Sequence, residues 1–239
     1  MTWSIIARDA STGAFGIAIA SKFFAVGALC PHGEGGVGAL STQALPNPLW
    51  GHRGMRLLRE GMPAADVAAH LTLPDHGADQ RQLHVHDGRG GIAVHTGARC
   101  IDWAGHVVRP ALSVAGNMLA GPQVVMATAD AFGRATDQSF ARRLIAAMVA
   151  GEAAGGDKRG RQSAALVIWT TEEYPAVSLR IDDHADPLAE LARLDAVGRE
   201  RLYHYVAFMP TRANPHGTLD RAMIEAGIAA AVAAEREDW

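Results

Sequence analysis

The order of its segments is what most constrains how this 239-residue chain can fold: apolar hairpins alternate with pairs of helices. Residues 3–8 and 14–20 read as two strands across a cluster of turn formers, Asp9-Ala-Ser-Thr-Gly13. Another strand is expected at 39–43. A helix pair follows at about 48–59 and 62–71, the first with Pro48 in its opening turn, where the missing N–H costs nothing. Residues 83–87 and 92–96 form a second hairpin around Gly88-Arg-Gly-Gly91, and a short strand is expected at 112–116. Helices at 122–134 and 140–151 precede a third hairpin, 163–169 with 176–181, and helices at 187–208 and 219–235 close the chain. Rossmann and barrel folds alternate single strands with single helices, which this order does not. The strands also lack polar alternation, so both faces should be covered. The fold class expected is therefore α+β, a four-layer αββα sandwich of two mainly antiparallel sheets. Residues 1–239 read as one unit, with a C-terminal helical extension from about residue 187.

Hydrophobic residues make up 49% of the chain, enough for one large core. The net charge of −3 gives no field suited to nucleic acid or an anionic membrane. No apolar run approaches a bilayer span, and the first residues lack the basic-then-apolar pattern of a signal peptide. Cys30 and Cys100 are far apart with no CxxC, which argues against a disulfide framework or zinc ribbon. The expectation is a cytoplasmic protein whose partner is a small-molecule substrate, with neither nucleic acid nor membrane. The excess of Ala, Gly and Arg over Lys suggests a GC-rich bacterial genome. Met223, Ile224 and Ile228 on the last helix would gain from burial, which predicts a homodimer or higher homo-oligomer.

Thr2 is the first candidate for chemistry. Once Met1 is removed, its hydroxyl can be activated by its own α-amine, whose reference pKa of about 7.7–8.0 suits a base near neutral pH. Ser21-Lys22 ends the second strand, and hairpin pairing returns both residues to the chain start. Lys22 would hold an oxyanion or lower the amine's pKa. Gln43 ends the next strand and is a candidate for binding substrate. The loop from Gly155 to Ser163 sets Asp157, Arg159, Gln162 and Ser163 among glycines, a good receptor for carboxylate or phosphate. Asn117, between a strand and a helix start, is suited to capping or to facing a ligand. These residues are expected to converge on one cleft with the chain start. Gly33-Glu-Gly-Gly-Val-Gly38 precedes a strand, whereas a dinucleotide fingerprint must follow one, so these glycines serve turns and close approach. His84 and His86 share a strand face with His95 across the turn, but no HExxH or carboxylate pattern accompanies them. No Gly-x-Ser-x-Gly elbow is present. No metal and no cofactor are expected.

Six motifs in order carry a family resemblance: Thr2-Trp-Ser-Ile-Ile-Ala-Arg-Asp9, Gly16-Ile-Ala-Ile-Ala-Ser-Lys22, Gly36-Val-Gly-Ala-Leu-Ser-Thr-Gln43, Cys100-Ile-Asp-Trp-Ala-Gly105, Gly116-Asn-Met-Leu-Ala-Gly121 and Ala154-Gly-Gly-Asp-Lys-Arg-Gly-Arg-Gln-Ser-Ala164. Together they resemble the bacterial family catalogued as domain of unknown function 1028, over about the first 180 residues. The resemblance implies a fold like that of the N-terminal-nucleophile (Ntn) hydrolases and no established reaction. More loosely, the opening is similar to proteasome-type subunits, with Thr2 in the nucleophile's place and Ser21-Lys22 near the strand end. Ala20-Ser21 stands where those subunits carry an acidic residue, so their orienting carboxylate is missing here.

Two functions follow. The first is an amidohydrolase acting on a small C–N bond, with Thr2 as nucleophile, Lys22 at the oxyanion, and Asn117, Asp157 and Arg159 orienting a polar substrate. The alternative is a non-catalytic small-ligand-binding or oligomeric scaffold protein of the same fold. Removal or retention of Met1 separates them.

Overall fold

The computed structural model describes residues 2–234. Six strands form one antiparallel sheet in the spatial order β10 (Val177–Ile181), β9 (Ser163–Trp169), β2 (Phe15–Ser21), β1 (Thr2–Arg8), β8 (Leu112–Asn117) and β7 (Gly105–Arg109). A second antiparallel sheet runs β3 (Pro31–Glu34), β4 (Gly38–Ala44), β5 (Arg81–Asp87) and β6 (Ile92–Thr96). Helices α1 (Pro48–Arg59) and α2 (Ala64–Thr72) cover the outer face of the four-stranded sheet, while α3 (Gln123–Arg134) and α4 (Phe140–Ala153) cover the six-stranded one. The expected αββα sandwich of two antiparallel sheets is therefore present. Helix α5 (Pro187–Glu200) lies along β9 and β10, followed by α6 (Leu202–Tyr205) and α7 (Arg221–Ala233). No helix among the described residues is long and apolar enough to cross a membrane.

The main core lies between the six-stranded sheet and α3 and α4. Trp3, Ile5 and Ala7 point to that side from β1, against Leu144, Met148 and Phe140 of α4. Each large apolar side chain fully buried there contributes about 1.5–3 kcal/mol. The approach is close at Gly16, where a Cβ would lie 2.4 Å from the Leu144 side chain. On the other side, Asn47 caps α1 by accepting a hydrogen bond from the Leu49 N–H, and Trp50, Met55 and Leu58 of α1 pack with Leu40, Leu83 and Val85. The glycine-rich segment forms the β3–β4 turn, with Gly36 at φ +75° as a tight turn requires.

Several expectations are corrected. Edge strands β3 and β7 were not foreseen, because the Pro31-His-Gly-Glu34 stretch is poor in strand-forming residues and Gly105-His-Val-Val-Arg109 is short. The single helix expected over 187–208 breaks at Arg201, whose backbone leaves the helical region (φ −157°, ψ −52°). Helix α7 starts at Arg221, because the Asp220 carboxylate accepts the Ala222 and Met223 N–H groups as an N-cap. The expected helix end at Glu235, like the Met1 question, lies outside the described residues. Met223 is 59% exposed, but Ile228 is buried.

The inner faces also depart from expectation. The sequence predicts strands apolar on both faces, yet where β1 and β8 meet β4 and β5 the interface carries Thr2, Ser4, Gln43, Gln82, His84, His86, Ser113 and Asn117, all buried. Ile6, Phe15, Ile17, Ala39, Val167 and Trp169 form the apolar remainder of that interface.

Candidate functional site

Strand β1 lies in the middle of its sheet and Thr2 opens it. Its register places Thr2 opposite Ser21 on β2, through the β1–β2 hairpin, and opposite Asn117 on β8, through a long-range strand pairing. Since side chains alternate, Thr2 and Ser4 face the second sheet while Trp3 faces the helices. The Thr2 Oγ1 lies 3.1 Å from the Ser21 Oγ, and the Asn117 Nδ2 donates to the Thr2 carbonyl at 3.3 Å. A cavity of about 60 Å3 adjoins Thr2, lined by Phe23, Val26, Leu29, Cys30, Gln43, Ala44 and Pro46. Burial pushes the Cys30 thiol up to about 12, so it stays protonated at neutral pH.

From Thr2 a chain of hydrogen bonds runs through the sandwich, and its proton order can be assigned. Asn117 Nδ2 donates to Gln82 Oε1 at 3.2 Å, and Gln43 Nε2 donates to the same oxygen at 2.8 Å. Gln43 Oε1 accepts from Ser4 Oγ at 2.6 Å. That bond uses the one hydroxyl proton of Ser4, so at 2.8 Å Ser4 must accept from His84 Nε2–H. His84 Nδ1 is then an acceptor and takes the Ser113 hydroxyl proton at 2.9 Å, leaving Ser113 to accept from His86 Nε2–H at 2.8 Å. This order takes His84 as a neutral ring and is compatible with a neutral His86. Burial agrees: His84 is held well below its ordinary pKa, with the neighbouring His86 and His106 adding to the effect. His86 falls to about 3 through burial, against the opposing pull of Asp87.

The loop before β9 sits at the same end of the sheet. The Asp157 carboxylate accepts the Lys22 N–H at 2.9 Å and the Arg159 N–H at 2.8 Å, and it pairs with the Arg159 guanidinium at 3.4 Å. Asp157 thus fastens the loop to the end of β2. Ser163 pairs with Ser21, donates to the Phe23 carbonyl at 2.5 Å and accepts the Val26 N–H at 3.2 Å, which shapes the cavity wall. Gln162 donates its N–H to the Ser21 carbonyl while its side chain turns out to Asp183. Lys22 is exposed, and its Nζ rests on the Arg161 carbonyl at 3.3 Å. Thr2 and Gln43 therefore line the cavity, and Ser21 and Asn117 hydrogen-bond to Thr2 without lining it. Lys22 and Arg159 are exposed and do not line it, and the side chains of Asp157, Gln162 and Ser163 make contacts within the protein.

Sequence reasoning missed Ser4, Gln82, Ser113 and Cys30 as parts of the site, and weighed His84 and His86 for metal only. The signal was alternation: Thr2 and Ser4, then Gln82, His84 and His86, each occupy every second position. Such a pattern ordinarily marks a solvent face, and here that face meets the other sheet. Among the described residues no group of three or more His, Cys, Asp or Glu could hold a metal ion.

No curated protein matches the chain. Among solved structures, protein SPO2555 from Silicibacter pomeroyi, described with the family model DUF1028, is 35% identical at a TM-score of 0.84, covering 92% of this chain and 96% of that one. Anbu (ancestral beta-subunit) from Yersinia bercovieri is 12% identical at a TM-score of 0.38, covering 82% of this chain and 94% of that one. The model of the family of unknown function DUF1028 matches residues 2–191. The chain belongs to that family.

Proposed function

We propose that this protein is an Ntn-type amidohydrolase that cleaves a small C–N bond with Thr2 as nucleophile. The observation that carries the reading is the placement of Thr2. It opens a central strand, its side chain is buried, and its hydroxyl meets Ser21 beside a small cavity. Removal of Met1 frees the Thr2 α-amine within reach of its own hydroxyl, so activation needs no distant base. Oγ1 attacks the substrate carbonyl carbon while the amine takes the hydroxyl proton. The C–N bond then breaks as that proton passes to the leaving nitrogen, and water hydrolyses the ester left on Thr2.

Asn117 has a positioning role in this scheme, holding the Thr2 carbonyl and hence the direction of the hydroxyl. Ser21 Oγ, 3.1 Å away, would hold the hydroxyl in place. Lys22 can meet an oxyanion only after its Nζ leaves the Arg161 carbonyl. Arg159, exposed and paired with Asp157, would orient a polar end of the substrate in this scheme. The alternative, a non-catalytic ligand-binding or oligomeric scaffold, is favoured by that outward turn of Lys22 and by the exposed Met223 and Leu219 beside α7. A homodimer is compatible with either reading.

The test compares three proteins of confirmed mass on a panel of small amides: the form beginning at Thr2, the form retaining Met1, and Thr2→Ala. Turnover by the first alone is expected. Equal turnover by all three removes Thr2 from the chemistry.

A further inference from the structure

The surroundings of Thr2 differ sharply between its two sides. The cavity wall is built from Phe23, Val26, Leu29, Ala44 and Pro46, with two polar side chains besides Thr2. One is the Cys30 thiol. The other is Gln43, whose Oε1 accepts from Ser4 and whose Nε2 donates to Gln82 and to the Ala115 carbonyl. A charged group entering this cavity would lose its water and find no charged partner. One water needs about 10–15 Å3 of such space, so about 60 Å3 holds roughly four to six non-hydrogen groups.

The loop on the other side contributes no residue to that wall. It carries Lys158 and Arg159, and its Asp157 binds the Lys22 N–H. The chain has only two lysines, Lys22 and Lys158, and both are here. Both are exposed, and their ammonium groups rest on the backbone carbonyls of Arg161 and Asp102 at 3.3 and 2.7 Å. Neither forms a carboxylate pair among the described residues, so both are available to an anion.

We infer that the substrate of the Thr2 site is an N-acyl amino acid-like anion: a compact, uncharged aliphatic acyl group fills the cavity, and a carboxylate on the amine side faces Lys22, Lys158 and Arg159. This inference rests on the amidohydrolase reading and deepens it. Thr2 Oγ1 bonds to the acyl carbon as the C–N bond breaks. The proton carried by the Thr2 amine leaves on the amino acid, and water then releases the acyl group as a carboxylic acid.

Binding is measured without turnover on Thr2→Ala, by NMR titration with N-isovalerylglycine, isovaleramide and N-succinylglycine. Overlay of its spectrum on that of the unmutated protein checks the fold. N-isovalerylglycine should bind about ten-fold more tightly than N-succinylglycine, whose acyl group is charged. It should bind about five-fold more tightly than isovaleramide, which lacks the carboxylate, and adding Lys158→Gln should erase most of that second difference alone. N-succinylglycine binding as well as N-isovalerylglycine overturns the acyl assignment, and isovaleramide binding as well overturns the anionic one. Absence of binding by all three overturns both. Turnover of N-isovalerylglycine by the form beginning at Thr2 is scored separately. The predicted binding order without turnover keeps the ligand class and sinks the hydrolase reading.

Discussion

Replacing Ser113 with Ala tests the hydrogen-bond chain that links the two sheets. The Ser113 hydroxyl donates to His84 Nδ1 at 2.9 Å and accepts from His86 Nε2 at 2.8 Å, and all three side chains are buried. Ala removes one oxygen and leaves an acceptor and a donor without partners. A buried polar group so orphaned costs about 1–3 kcal/mol, so the pair should cost roughly 2–6 kcal/mol. For a chain of this size each kcal/mol moves Tm by about 2–4 °C, and a fall of roughly 4–24 °C is expected at pH 8. Urea unfolding followed by circular dichroism gives the free energy directly, and Ser113→Thr, which keeps the hydroxyl, should recover much of it. Ser178→Ala, on an exposed position of β10 in the same sheet, is the control and should stay within about 0.5 kcal/mol. A Ser113→Ala loss no larger than that of the control would show that the assigned proton order does not stabilise the sandwich.

Acid should weaken the same region. His86 titrates near the ordinary imidazole value of about 6.5 when unfolded and at about 3 when folded, so the unfolded state binds the extra proton between those values. Its contribution is complete above pH 6.5 and is lost as pH falls towards 3, with a ceiling of about 5 kcal/mol that urea titrations of wild type and His86→Gln would reveal. At Gly116 an added Cβ would lie 2.4 Å from the Leu119 side chain and 2.9 Å from the Trp3 Cβ. Gly116→Ala should therefore displace Asn117 and lower kcat more than it raises KM, as measured by steady-state kinetics on whichever amide is turned over. Arg59→Ala should cost about 1–3 kcal/mol in a denaturant titration, because it leaves the buried Glu34 carboxylate without its Arg partner. Met223→Glu should shift a light-scattering mass towards the monomer if α7 forms the interface between copies.

Much of the architecture was legible because hairpins and helix pairs write strong local signals. The turn at Asp9-Ala-Ser-Thr-Gly13, Asn47-Pro48 as a helix start, and the strand at 163–169 all stand where the sequence places them. Edge strands were not legible, since β3 and β7 gain their hydrogen bonds from β4 and β8 rather than from their own propensity. The proximity of Thr2 and Ser21 could be reached from hairpin pairing, but the long-range pairing that brings Asn117 to Thr2, and their link to Gln82, His84 and Ser113, could not. That link depends on how two sheets stack, and polar alternation alone does not tell a solvated face from a buried network. The direction of the Lys22 side chain was likewise hidden, because the Arg161 carbonyl that holds it comes from a loop far along the chain.

The most direct test of Thr2 as nucleophile is mass spectrometry of the protein beginning at Thr2 after reaction with a small acylating β-lactone. The expected result is one added acyl group, mapped by peptide digestion to Thr2, with no adduct on Thr2→Ala or on the form retaining Met1. Labelling of Cys30, Lys22 or Lys158 in its place, or equal labelling of all three proteins, would contradict it.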